Sequence, residues 1–162
     1  MAKGGEKTFL ASVMQLTRIQ VVKPRILKIT TGIAAVYHLL LGSALLLLPA
    51  ENLSGITRFF LGTELDFDPT LTLIGKFVSA YILAFGVMLT LLWVNPVRHR
   101  ALVIPALVLF GIRLAGKLVF WAKIEETFGI SRNRSLFAFA SLAVIFGLMV
   151  WAKPKGENSG VL

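Results

Sequence analysis

Four runs of this chain, roughly Ile26–Leu48, Leu71–Val94, Ala101–Trp121 and Ser135–Trp151, are apolar almost from end to end. A helix rises 1.5 Å per residue, so about 20 residues cross a hydrocarbon layer of about 30 Å, and the first three runs reach that length. The fourth is shorter and spans only if Arg134 and Lys153 stretch to the interfaces at its two ends. Of the 162 residues, 56% are hydrophobic and 15% charged, with a mean hydropathy of +0.80. A soluble domain this small has too much surface to hide that apolar fraction. The expected fold is an all-α integral membrane protein: a bundle of four transmembrane helices preceded by an N-terminal amphipathic interfacial helix.

The ends of the spans carry their own punctuation. Pro49 stops the first, and Asp68 followed by Pro69 reads as an N-cap and first helical residue for the second. The segment WVNPVRHR closes the second span and turns tightly into the third. Trp93, Trp121 and Trp151 fall at predicted span ends, where indoles favour the headgroup level. Between Pro49 and Thr70, SGITRFFLG reads as a short helix on the outer interface, with Phe59, Phe60 and Leu61 dipping inward. Residues 1–25 form a basic segment whose Phe9, Val13 and Leu16 share a helical face, lying on the membrane surface and broken or bent near Pro24. Residues 26–152 then form the transmembrane domain and 153–162 a tail.

The net charge of +9 is distributed, not clustered. With four crossings, Lys3, Lys7, Arg18, Lys23, Arg25, Lys28, Arg98, Arg100, Lys153 and Lys155 share one side, ten of seventeen cations. Glu51, Glu64, Asp66, Asp68, Glu125 and Glu126 fall on the other, six of eight acids. The positive-inside rule then puts both termini in the cytoplasm, and a basic collar against anionic lipid accounts for the charge without nucleic acid. A cleavable signal peptide fits poorly, because the first apolar run starts late and exceeds an h-region. The chain has no cysteine, which removes disulfides and thiolate chemistry.

Within the third run, Arg113 and Lys117 stand four residues apart with no acid nearby. Each cation near a helix centre costs about 2.5–3.5 kcal/mol to insert, against about 0.3–0.6 kcal/mol returned by each Leu, Ile, Val or Phe. The two together consume most of what inserts that helix. They share a face with Ala106, Leu109, Gly116 and Phe120, and small residues on a face let helices approach. Matching stripes are Thr31, Ala34, His38 and Gly42 in the first span, and Lys76 with Thr72, Ser79, Ala80 and Val87 in the second. The fourth contributes Ser135, Ala138 and Ser141. The polar faces are expected to converge, with Glu64, Asp66 and Asp68 folded back as counter-charges for the cations, Lys76 reaching up to Asp68.

Several roles are open for these residues. Arg113 suits an internal ion pair, a ligand contact or a partner contact; Lys117 and Lys76 suit snorkelling or an anionic head. His38 suits packing better than metal binding, since the other histidine, His99, lies on a distant turn. Candidate ligand-binding residues are Arg113, Lys117, Lys76, His38 and Tyr81. No metal site, cofactor or catalytic set is expected: HExxH, a Ser–His–Asp arrangement and a phosphate loop are all missing, and one buried histidine does not hold haem.

The patterns GIAAVYHLLLGSALLLLP, GKFVSAYILAFGVML and FGIRLAGK make residues 26 to 152 resemble the DoxX-like group of small bacterial membrane proteins. The resemblance implies a left-handed four-helix bundle in a bacterial inner membrane and, in some members, an accessory place beside redox partners. The long basic N-terminal segment and acidic outer connection depart from the group's pattern. Three functions follow as expectations: an accessory or assembly subunit of a larger membrane complex, or a self-associating one; a binder or carrier of an anionic lipid, quinone-like or other small molecule; and, last, an intramembrane enzyme.

Overall fold

The computed structural model describes residues 4–61, 63 and 65–153, and the side chains of these from Val22 onward apart from Phe60 and Leu61. It holds α1 (Gly4–Leu47), α2 (Ala50–Leu61), α3 (Pro69–Val94), a 3₁₀ turn (Arg100–Leu102), α4 (Val103–Val119), α5 (Trp121–Phe128) and α6 (Arg132–Ala152). Four helical segments are long and apolar enough to cross a membrane: Val22–Leu47, Pro69–Val94, Arg100–Val119 and Arg132–Ala152. Ile33, Phe77, Ile112 and Phe137 on these four are each more than 60% exposed. Such faces are prohibitive in water and ordinary in lipid. The molecule is an all-α membrane bundle.

Two boundaries differ from the sequence reading. The basic N-terminal segment is not a separate helix: α1 runs unbroken from Gly4 to Leu47 with Pro24 inside it. A proline there forfeits one backbone hydrogen bond, and that is a loss a helix continuing for many turns on both sides can absorb. The face formed by Phe9, Val13 and Leu16 lies outside the described side chains, and the tail beyond Lys153 lies outside the described residues. The third span stops at Val119, and Phe120 (φ −103°, ψ 16°) turns the chain so that Trp121 opens α5 instead of closing α4. Gly129, at φ +60°, ends α5 in the left-handed conformation that glycine adopts without penalty.

The α1–α3 pair is the spine of the bundle. A Cβ on Gly42 would lie 2.8 Å from the Leu83 nitrogen, and one on Gly86 would lie 3.0 Å from the Leu39 nitrogen. Each helix thus offers a glycine to the other's backbone, in one antiparallel register that also lays Trp93 on Gly32. Helix α6 packs on α1 and on α4, whereas α3 meets α4 only sparsely. Lys23 Nζ stands 5.4 Å over the Trp151 ring, which brings the start of the α1 span and the end of α6 to the same end as Trp93.

The packed core occupies that end. Leu27, Ala34 and Ala35 of α1 meet Leu89 and Leu92 of α3, Val103 and Ala106 of α4, and Met149 and Ala152 of α6. Phe85 and Phe110 complete the cluster on the side facing α2. Beyond them, the fully or nearly buried side chains are small or polar (Ser79 and Ser135), apart from Leu53 and Thr57 of α2. Helix α2 buries those two and leaves Phe59 78% exposed, so Phe59 points away from the bundle. The Thr57 hydroxyl donates to the Ser54 carbonyl at 2.9 Å and accepts from the Leu65 N–H at 3.2 Å, folding the α2–α3 connection back over α2.

Candidate functional site

The stripe Val103, Ala106, Phe110, Arg113, Lys117 steps along α4 at helical spacing. Its first three members are buried. Arg113 and Lys117 continue the same face into the part of the bundle where α4 has left the core. Arg113 is consequently open on one side, yet its guanidinium reaches across to α1, where Nη1 donates to His38 Nε2 at 2.5 Å. From the 1.5 Å rise, the contact lies about 9 Å inside the end of α4.

Hydrogen-bond chemistry fixes the histidine tautomer. Arginine only donates, so Nε2 of His38 must carry its lone pair. The proton is then on Nδ1, which donates to the Ala34 carbonyl at 2.6 Å. His38 is a neutral imidazole, 3% exposed, with both nitrogens engaged. Aromatic edges hold it: Tyr37 at 5.2 Å between centroids, Phe85 at 4.9 Å and Phe110 at 6.1 Å, each within 10° of perpendicular. Phe85 and Phe110 touch in turn at 5.2 Å. Tyr37 also lies within electrostatic reach of Arg113. The site is therefore a polar step on the aromatic lid of the core.

The guanidinium remains underspent. Of its five N–H donors, His38 takes one, and no carboxylate among the described residues lies within 4 Å of it. For Asp66 and Asp68 this corrects the counter-charge scheme. Asp68 instead caps α3, accepting from the Leu71 N–H at 2.6 Å with Pro69 behind it, and Asp66 is exposed. Glu64 lies outside the described residues. The physical reason is local: a carboxylate at a helix N-terminus satisfies orphan amides within its own turn, without folding a long loop inward. Asp68→Ala should cost about 1 kcal/mol, read as a lower Tm in detergent, and should leave the His38–Arg113 contact intact.

The remaining candidates are dispersed. Lys117 Nζ donates to the Ser135 carbonyl of α6 at 3.4 Å, with Glu125 of α5 nearby. Tyr81 is 77% exposed and turned away from the bundle. The α1–α3 register sets residue 76 level with residue 49, and residue 87 level with His38. Lys76 is thus about 16 Å along the axis from the histidine. Three of the stripe hydroxyls are satisfied within their own helices: Thr31 on the Leu27 carbonyl at 2.7 Å, Ser79 on the Lys76 carbonyl at 2.6 Å and Ser141 on the Phe137 carbonyl at 2.8 Å. Such back-bonding needs no site to explain it. Among the described residues no group of three His, Asp or Glu side chains is placed to hold a metal ion.

Tyr37, Phe85 and Phe110 were not singled out from the sequence. Phe110 stands one turn before Arg113 on the same stripe and was legible there; Phe85 joins only through the α1–α3 register. Fold and site together define a helical integral membrane protein with a cationic step inside its bundle. Comparison with known protein families, characterised proteins and solved structures finds no match.

Proposed function

We propose that this protein is a non-enzymatic intramembrane binder whose Arg113 receives the acceptor-bearing head of an amphiphile, such as a carboxylate or a quinone-type carbonyl. The observation that carries the proposal is the guanidinium at bilayer depth with, among the described residues, one donor used and no carboxylate beside it. In hydrocarbon, unspent donors on a cation are costly, and intramembrane cations mark ligand paths or partner contacts. The ligand's head would take the free donors while Tyr37 and Phe110 flank it and lipid-like chains run along the outward face of α4. Engagement of both His38 nitrogens leaves no free base for general acid–base chemistry, which favours binding over catalysis.

A second reading assigns the missing acceptor to an acidic side chain on a helix of a neighbouring subunit, making the protein an accessory or assembly component of a larger complex. It is favoured by the outward opening of Arg113 and agrees with the DoxX-like resemblance. In either case the end bearing Lys23, Arg25, Lys28, Arg98, Arg100 and Lys153 would face the cytoplasm across a bacterial inner membrane, by the positive-inside rule.

Native mass spectrometry after gentle extraction tests both. A small-molecule adduct that survives purification, is lost in Arg113→Leu and is weakened in Arg113→Lys is the expected result, because lysine keeps the charge but not the planar fork. A co-purifying protein released by the same substitution selects the second reading. A bare monomer from native membranes overturns both.

A further inference from the structure

Where α4 hands over to α5, two opposite charges stand near each other without meeting. Lys117 is two residues from Val119, the last residue of its span, and Glu125 lies past that span on α5. The turn at Phe120 keeps helical spacing: its N–H donates to the Gly116 carbonyl at 2.9 Å, and the Ile124 N–H donates to the Phe120 carbonyl at 2.8 Å. Lys117, Trp121 and Glu125 therefore follow one another at four-residue steps. Trp121 is set against Phe139 of α6, 5.7 Å between ring centroids. Lys117 Nζ stretches to the carbonyl of Ser135, in the first turn of α6, with two N–H donors unspent among the described residues. Glu125 is half-buried, and its Oε1 is covered from solvent with no hydrogen-bond partner. Its charge is felt at Lys117, yet among the described residues no cation lies within 4 Å of it. Lys123 is paired instead with Glu126 at 3.3 Å, on the exposed side of α5.

We infer that this step is a headgroup site for a zwitterionic phospholipid with a primary amine, phosphatidylethanolamine, its phosphate on Lys117 and its ammonium on the Glu125 carboxylate. From the bilayer interior outward, that lipid presents acyl chains, phosphate and amine. The protein presents in the same order its exposed apolar helix faces, then Lys117, then Glu125. A purely anionic head would satisfy the lysine and be repelled by the glutamate. A choline head would bring a positive charge with no N–H to donate, leaving the carboxylate without a hydrogen bond. Snorkelling of Lys117 alone needs no carboxylate beside it and gives no preference between the two zwitterions. The site uses neither His38 nor Arg113 and does not depend on the function proposed there.

The test reconstitutes the full chain into nanodiscs holding equal parts phosphatidylethanolamine and phosphatidylcholine with the same acyl chains, then counts the lipids retained by native mass spectrometry. Wild type should retain phosphatidylethanolamine over phosphatidylcholine by about threefold, the worth of one half-exposed, hydrogen-bonded ion pair. Glu125→Gln, which keeps the shape and removes the charge, should bring that ratio to about 1. Lys117→Gln should lower the retention of both lipids, since both carry the phosphate. Lys123→Gln, which breaks the exposed pair on the same helix, should leave the ratio at its wild-type value. Equal retention of the two lipids by wild type, an undiminished ratio in Glu125→Gln, or unchanged retention in Lys117→Gln overturns the proposal. So does a loss of preference in Lys123→Gln as large as in Glu125→Gln, which would trace it to the general charge of α5. Should Glu125→Gln fail to fold, the wild-type ratio and the Lys117→Gln retention decide.

Discussion

His38→Leu lowers the stability of the bundle by about 3 kcal/mol, and adding Arg113→Leu returns most of that loss. The asymmetry comes from which partner is left behind. Without His38 the guanidinium keeps its full charge at bilayer depth with no acceptor among the described residues. Without both, the position holds two leucines between Phe85 and Phe110, and the insertion cost of an arginine, about 2.5–3.5 kcal/mol, vanishes. Arg113→Leu alone should therefore lose less than His38→Leu, leaving only one buried imidazole nitrogen without a donor. Unfolding in detergent of the wild type, the two single variants and the double variant measures the cycle. A double variant as unstable as His38→Leu would show that the histidine acts through packing and that the guanidinium contact carries little.

The second large effect belongs to the spine. Gly42→Leu should cost more than about 3 kcal/mol, because its first side-chain carbon already falls 2.8 Å from the Leu83 nitrogen and 3.0 Å from the Leu83 Cα. These are backbone atoms that cannot swing aside, so α1 and α3 must separate. Separation would also displace His38, one turn away on α1, and so should weaken the ligand retention proposed for Arg113 together with stability. The control is Gly147→Ala on α6, where an added Cβ meets nothing within 4 Å. That change should be neutral, or stabilising by up to about 1 kcal/mol through helix propensity. Comparable losses in both variants, measured as Tm in the same detergent, would mean that α1 and α3 do not approach as closely as described.

Hydropathy alone determined that this protein has four spans, because the bilayer imposes a length and a composition that few other folds mimic. The α3 start was also legible, since Asp68 and Pro69 act within a single turn. So was the inward face of α1: Thr31, Ala34 and His38 are buried as their helical spacing implied, with Gly42 in the same row. What lay beyond the sequence was pairing between helices. Nothing in the spacing of His38 and Arg113, 75 residues apart, says which polar faces meet. That was decided by the glycine-to-backbone register of α1 and α3 and by the departure of α4 from the core past Phe110. The same packing sent Lys76 and Tyr81 elsewhere, and gave Lys117 a carbonyl on α6 with Glu125 nearby in place of Asp66 or Asp68. Insertion energies depend on the residues of one helix at a time and can be added along a sequence. The neutralisation of a charge depends on distances between helices, and those exist only once the bundle has formed.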